Sequence, residues 1–312
     1  MTRPQPTATL AFGPAAATAI IALTAVCFGL VPLFARELQA LGLGSAAIAL
    51  VRYLFSALVM LPFLPRAREK RGEALMLFGA GLFMGLGWVG YLEAIRHAPV
   101  AAAGVVYMSY PLFAVLFAWG LAGQRPGRRA LGAGALVVLA AALVLDPGGL
   151  DAGAVAALAW SLPAPIGFGL VIVVLSVLVR RLTVLERMAC GMLGALSGLA
   201  PLTLTQTTLA DIPLGADGLL LIAGLGLVTA LIPQLLYTIA APMVGAARSA
   251  AAGAVELPTM FAIGWLAFGE PVGLREWGAG ALVIGAVLLS PAVRPKRAAG
   301  DLLSTRRAPA PS

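Results

Sequence analysis

Charge is scarce in this sequence, and so are histidine and cysteine. Asp, Glu, Lys and Arg make up 11% of its 312 residues, where a soluble domain carries about 25%. Hydrophobic residues make up 61%, with a mean hydropathy of +0.98. Such a chain has too few polar residues to coat a water-facing fold, so it reads as an integral membrane protein. Its apolar runs are long and continuous rather than short and alternating, which points to helices and away from a β-barrel. The single histidine, His97, falls in a turn, and without a Cys/His cluster metal-assisted catalysis has no ligands. Both cysteines, Cys27 and Cys190, sit inside apolar runs and read as small buried hydrophobes. No cofactor is called for. Only Lys70 and Lys296 among 21 basic residues are lysines. With the abundant Ala and Gly, that points to a GC-rich bacterial genome and a multi-pass protein of the bacterial inner membrane. The net charge of +8 does not imply nucleic-acid binding, because the positive residues fall in loops.

What the chain does contain is a duplication. From Pro99 it carries Tyr110-Pro111 in an apolar run, breaks at Gly123-Gln124-Arg125-Pro126 and resumes with GAGALVV at Gly132–Val138. From Pro242 it carries Leu257-Pro258, breaks at Gly269-Glu270-Pro271 and resumes with GAGALVI at Gly278–Ile284. Earlier, CFGLV at Cys27–Val31 corresponds to GFGLV at Gly167–Val171. The offsets are 140 (Phe28 to Phe168), 143 (Pro99 to Pro242) and 146 (Gly132 to Gly278), as expected for one duplicated unit with small loop insertions.

A spanning helix needs about 20 apolar residues, and ten such runs are expected: Ala15–Phe34, Ser45–Leu64, Ala74–Glu93, Val100–Leu121, Ala130–Leu145, Gly153–Val179, Met188–Leu204, Gly218–Ile239, Ala246–Phe268 and Trp277–Pro291. The first is too long for a signal-peptide core and lacks a convincing cleavage site, so it is kept as a membrane helix. The expected organisation is a cytoplasmic N-terminus (1–14), a first five-helix repeat (15–147), a second (148–291) and a disordered cytoplasmic tail (292–312). With the N-terminus in the cytoplasm, 17 of the 21 basic residues fall on that side. Three (Arg36, Arg96, Arg275) fall on the other, and Arg52 lies within a helix. This is a strong positive-inside bias. Because five is odd, the second repeat enters the membrane inverted relative to the first. Inverted halves that exchange conformations around a midplane site are the architecture of a secondary carrier working by alternating access.

The two five-helix units, the prolines of the fourth and ninth helices, and the Gly-Glu-Pro break before a GAGAL-type helix resemble the EamA branch of the drug/metabolite transporter superfamily. The resemblance spans residues 15–291. Within that branch the chain is similar to bacterial exporters of aromatic amino acids. This implies export of amino acids such as phenylalanine and tryptophan and of related small metabolites. In the family a Glu often stands directly before the ninth-helix proline; here Glu256 stands two before Pro258.

Several residues are candidates for a site walled by the third, fourth, sixth, eighth and ninth helices. Glu256, ten residues into the ninth helix, costs about 2.5–3.5 kcal/mol as a charge at midplane and should face a cavity or partner. It reads as a substrate-ammonium or proton site, or as a carboxyl stabilising the Pro258 break. Arg52 reads as a substrate-carboxylate site, or as a side chain that snorkels outward or pairs with an acid such as Glu93. Trp88 with Tyr91, and Tyr107 with Tyr110, are three apart and share helix faces. With Trp160 they would wall an amphipathic ring-bearing substrate, or simply pack. Trp119, Trp265 and Trp277 lie near helix ends, as an interfacial belt does. Gln234 and Tyr237 are a polar lining or part of a kink at Pro233. Pro111 and Pro258 are hinges or tolerated transmembrane prolines. The Gly132/Gly134 and Gly278/Gly280 pairs read as close helix packing.

An enzyme would need clustered acids, bases or nucleophiles, and the two buried charges here lie in different helices. A sugar-phosphate or nucleotide-sugar carrier would need several basic residues in its cavity. Arg52 alone favours a zwitterionic or neutral substrate. The expectation is a non-enzymatic monomer in a lipid bilayer whose partner is an amino acid.

Overall fold

The computed structural model describes residues 13–144, 150–244 and 252–289. Among them every regular element is helical, and there is no strand. In chain order the helices are α1 (Pro14–Gly29), α2 (Val31–Ala40), α3 (Ser45–Met60), α4 (Arg71–His97), α5 (Val100–Tyr107), α6 (Tyr110–Ala122) and α7 (Arg128–Val144). There follow α8 (Ala152–Ser161), α9 (Pro163–Val173), α10 (Val184–Gln206), α11 (Ala216–Gly226), α12 (Ile232–Val244), α13 (Glu256–Phe268) and α14 (Leu274–Leu289).

Joining helices across their short breaks, seven segments are long and apolar enough to cross a membrane. They are Pro14–Ala40, Ser45–Phe63, Arg68–His97, Val100–Ala122, Ala152–Val173, Val184–Gln206 and Ala216–Ala240. The remaining expected spans map to α7, α13 and α14, of 17, 13 and 16 residues. Leu145, the 147/148 repeat boundary, Asp146, Ala246, Arg248, Pro291, the tail and all but two residues of the expected N-terminal segment lie outside the described residues. The outward faces are apolar: Leu75, Leu204, Leu220 and Leu266 are each 70% exposed or more.

Four expected continuous runs are broken, each within the turn before a proline. The breaks fall at Leu30 (Pro32), at Met108-Ser109 (Pro111), at Leu162 (Pro163) and at Ala254-Val255 (Pro258). Proline lacks the N–H that would bond the carbonyl four residues earlier, and its ring crowds that carbonyl. The helix stops, and the proline sits in the first turn of the next one, where an N–H has no partner anyway. Pro111 and Pro258 thus start α6 and α13 rather than bend one continuous helix.

The halves correspond closely here. Helices α6 and α13 are both 13 residues long, each after a two-residue turn. Each ends at a glycine in the left-handed region, Gly123 at φ 67° and Gly269 at φ 63°, a conformation that favours glycine. The closing hydrogen bonds match. Gly123 N–H donates to the Trp119 carbonyl and Gln124 N–H to Ala118; Gly269 donates to Trp265 and Glu270 to Gly264. An offset of 146 relates every member of the set.

Helix α4, about 40 Å long, runs through the middle and packs against α8, α9 and α10. Small residues set the close α4–α10 approach: a Cβ on Gly85 would lie 2.7 Å from Ala195 Cα. Helix α1 packs on α12 and α13, α3 on α10 and α11, α5 on α13, α6 on α9 and α7 on α14. The expected close packing at Gly132 and Gly278 is against leucine side chains, Leu289 and Leu143 respectively, rather than against a facing backbone.

Candidate functional site

The turn at Met108-Ser109 sets the site's geometry. It ends α5 at Tyr107 and starts α6 at Tyr110, and Ser109 Oγ donates to the Val106 carbonyl at 2.6 Å. Across from it, α4 presents Trp88 and Tyr91 on one face, their rings edge-to-face at 5.0 Å. The Tyr107 ring lies 5.3 Å from each of them. Tyr110 lies 5.9 Å from Tyr107. Phe168 on α9 closes the group, 4.7 Å from Tyr110 and 6.0 Å from Tyr107. These rings, at spacings typical of aromatic pairs, form one wall drawn from α4, α5, α6 and α9. Trp88, Tyr91 and Tyr107 are buried and Tyr110 is half-buried.

Two charged side chains flank the wall. Arg52 on α3 is buried, with 6% exposure, and its guanidinium sits 4.0 Å over the Trp88 ring. Its Nη2 donates to the Thr229 carbonyl at 3.2 Å and its Nη1 to the Tyr53 hydroxyl at 3.3 Å. The Thr229 carbonyl is open because Pro233, four residues on, has no N–H to give it. It also lies in a π-helical turn, Leu227–Leu231. Arg52 Nε is buried and has no hydrogen-bond partner among the described residues, a costly state for a charged group's donor. Glu256 opens α13 immediately after its turn and is half-buried. No hydrogen bond or ion pair joins its carboxylate to another described residue. It lies within electrostatic range of Arg52 and of the hydroxyls of Tyr91, Tyr107, Tyr110 and Tyr237.

Arg52 neither snorkels outward nor pairs with Glu93. That carboxylate is instead held by Ser45 at 2.8 Å and His97 at 2.9 Å. Trp160 is not brought to the wall. It is 73% exposed and lines a separate cavity of about 980 Å³ with Leu86, Gly90, Glu93 and Gln206. Those α4 residues lie on the helix face opposite Trp88 and Tyr91, so the two spaces are distinct. Tyr237 is half-buried on α12, against Ala17 and Ile21 of α1. Gln234 is half-buried on the same helix and bonds to no other described residue. Trp119, Trp265 and Trp277 are more than half exposed, as an interfacial belt requires. The sequence reading did not place Phe168 or Thr229 in the site. The GFGLV motif and the position four before Pro233 were the available signals. No group of His, Cys, Asp or Glu among the described residues could hold a metal ion.

Residues 16–146 match the EamA-like transporter family. The match includes Arg52, Trp88, Tyr91, Tyr107 and Tyr110. A solved structure described only as "Crystal structure of protein" aligns with 88% of this chain and 97% of its own, with a TM-score of 0.59 and 19% identity. At that identity the likeness is one of fold, and nothing more is implied. No curated protein sequence matches this chain.

Proposed function

We propose that this chain is an EamA-type secondary transporter of the bacterial inner membrane. It exports aromatic amino acids and related small zwitterions by alternating access. The observation that carries the reading is the aromatic wall held between two opposite charges. Arg52, whose Nε bonds to no described residue, suits a carboxylate; Glu256, whose carboxylate bonds to no described residue, suits an ammonium group; the rings of Trp88, Tyr107 and Phe168 suit an aromatic side chain. A phosphate ester would need a second cation, and Arg52, over the Trp88 ring, is the one buried cation among the described residues.

The ten-helix inverted repeat is supported by the matched breaks and caps of α6 and α13 and by packing pairs that swap between halves. The α1–α12 pair, which joins the two halves, has its counterpart in α9–α4, and α6–α9 in α13–α1. The charge distribution supports cytoplasmic termini. Lys70, Arg125, Arg128, Arg180 and Arg181 gather at one set of loops, with only Arg36, Arg96 and Arg275 at the other. Entrance counterflow in proteoliposomes tests the proposal. Labelled tryptophan and phenylalanine should exchange, and a hexose phosphate should not. Exchange of the phosphate without exchange of either amino acid would replace this reading with that of a phosphate-ester carrier.

A further inference from the structure

A second cluster of charge lies away from the aromatic wall. Glu270 follows Gly269, the left-handed cap of α13, and its own N–H is fixed on the Gly264 carbonyl at 3.0 Å. Both carboxylate oxygens are engaged. Oε1 meets Arg36 Nη1 at 2.6 Å, and Oε2 accepts the Val100 N–H at 2.8 Å, at the start of α5. Arg36, on α2, also donates its Nε to the Ile95 carbonyl at 2.6 Å and its Nη2 to Ala98 at 2.9 Å. Its guanidinium lies 4.6 Å from the centre of the Phe268 ring. Gly264 is what admits the carboxylate: a Cβ there would lie 2.7 Å from Oε2. Two side chains, 20% and 13% exposed, thereby tie together α2, the end of α4, the start of α5 and the end of α13.

Among the described residues the duplicated half has no such pair. The offset of 146 that relates Trp119 to Trp265 and Gly123 to Gly269 puts neutral Gln124 in the place of Glu270. The offset of 140 that relates Phe28 to Phe168 puts Ser176 in the place of Arg36. The ion pairs at the far end of α4 do a different job. Lys70–Glu186, at 2.7 Å, and Glu73, which accepts the N–H groups of Arg180 and Arg181, join the loops of helices that already pack along their length.

We infer that Arg36 and Glu270 form a one-sided latch. It holds α5 against α13 at their own end of the molecule and biases the carrier toward the state closed there and open at the other end. The inference rests on the alternating-access reading. In symmetric halves the two closed states would be of similar energy; a charged pair that ties α5 to α13 at one end breaks that equality. Charge-assisted hydrogen bonds are the strong ones, and removing the charge shifts the populations by about tenfold or more.

The α5–α13 seam beneath the latch runs through Val100 against Gly264 and Gly104 against Met260 and Leu257. The test replaces Cys27 and Cys190 by alanine, introduces Met260→Cys, and measures labelling by a membrane-impermeant thiol reagent added at the Arg36 side. Met260 is fully buried, so labelling should be slow with the latch intact. Glu270→Gln, which gives the second half the residue the first half has and keeps an acceptor for Val100, should speed labelling about tenfold or more. Arg36→Met should do the same. Circular dichroism and a monodisperse elution profile confirm that the variants fold. The readout is opening rather than flux, so an error in the substrate assignment leaves it unaffected. Wild-type labelling rates in both variants, with amino-acid exchange still present, would overturn the latch and leave the carrier standing.

Discussion

Removing the Arg52 side chain separates a residue that binds substrate from one that only braces the wall. Arg52 has three attachments: the Thr229 carbonyl, the Tyr53 hydroxyl and the Trp88 face. If its free Nε takes a substrate carboxylate, Arg52→Met removes a charged hydrogen bond worth about 1.5–3 kcal/mol. At about 1.4 kcal/mol per tenfold, the dissociation constant for phenylalanine should rise roughly 10- to 100-fold. The same substitution also frees Trp88 from a cation–π contact of about 0.5–2 kcal/mol, which weakens any aromatic ligand. Phenethylamine, which has the ring and ammonium but no carboxylate, reports that second effect alone. Equilibrium binding of both ligands to purified protein in nanodiscs, in wild type and Arg52→Met, closes the cycle. The excess loss for phenylalanine is the carboxylate contact. Arg52→Lys keeps the charge but loses the planar fork, and should fall between. Equal weakening of both ligands in Arg52→Met would refute the carboxylate role and leave Arg52 as a brace for Trp88 and Thr229.

Glu256→Gln should weaken phenylalanine several-fold but leave phenylpropionate, which lacks the ammonium, unchanged; equal losses would make Glu256 a support for the start of α13. Among the described residues no second acid joins Glu256 in a relay, so wild-type transport should run downhill, and accumulation driven by a pH gradient would contradict this. Trp88→Ala and Tyr107→Ala should each slow aromatic amino-acid exchange tenfold or more, whereas Trp160→Ala, in the separate cavity, should leave it unchanged. Asp211 accepts from both the N–H and the hydroxyl of Thr208, which holds its carboxyl below the usual range. That stabilisation is present above the ordinary carboxyl pKa and is lost as pH falls through the lowered value. The protection of the Thr208 amide against hydrogen exchange, relative to its intrinsic rate, should therefore fall in acid, and in Asp211→Ala it should be low at either pH.

The matching ends of α6 and α13 were legible because capping and close packing constrain identity. Gly123 and Gly269 must tolerate positive φ, and the residues around them repeat at one offset. The helix breaks were legible in principle, since each precedes a proline within one turn, but a continuous apolar run hides where the backbone actually stops. Depth in the membrane follows from position along a run, which is how Trp88, Tyr107 and Glu256 were singled out. Azimuth does not: α8 is apolar on all sides, so no polar face indicated which way Trp160 points. The partners of Arg52 lay beyond reach for another reason, because Thr229 is 177 residues away and its accepting group is a backbone carbonyl.

A structure of the protein with bound phenylalanine tests the central claim most directly. The account predicts the ligand ring against Trp88 and Tyr107, its carboxylate about 3 Å from Arg52 Nε and its ammonium beside Glu256. Phenylalanine seated instead in the cavity lined by Trp160 and Gln206, with the Arg52–Glu256 space unoccupied, would contradict it.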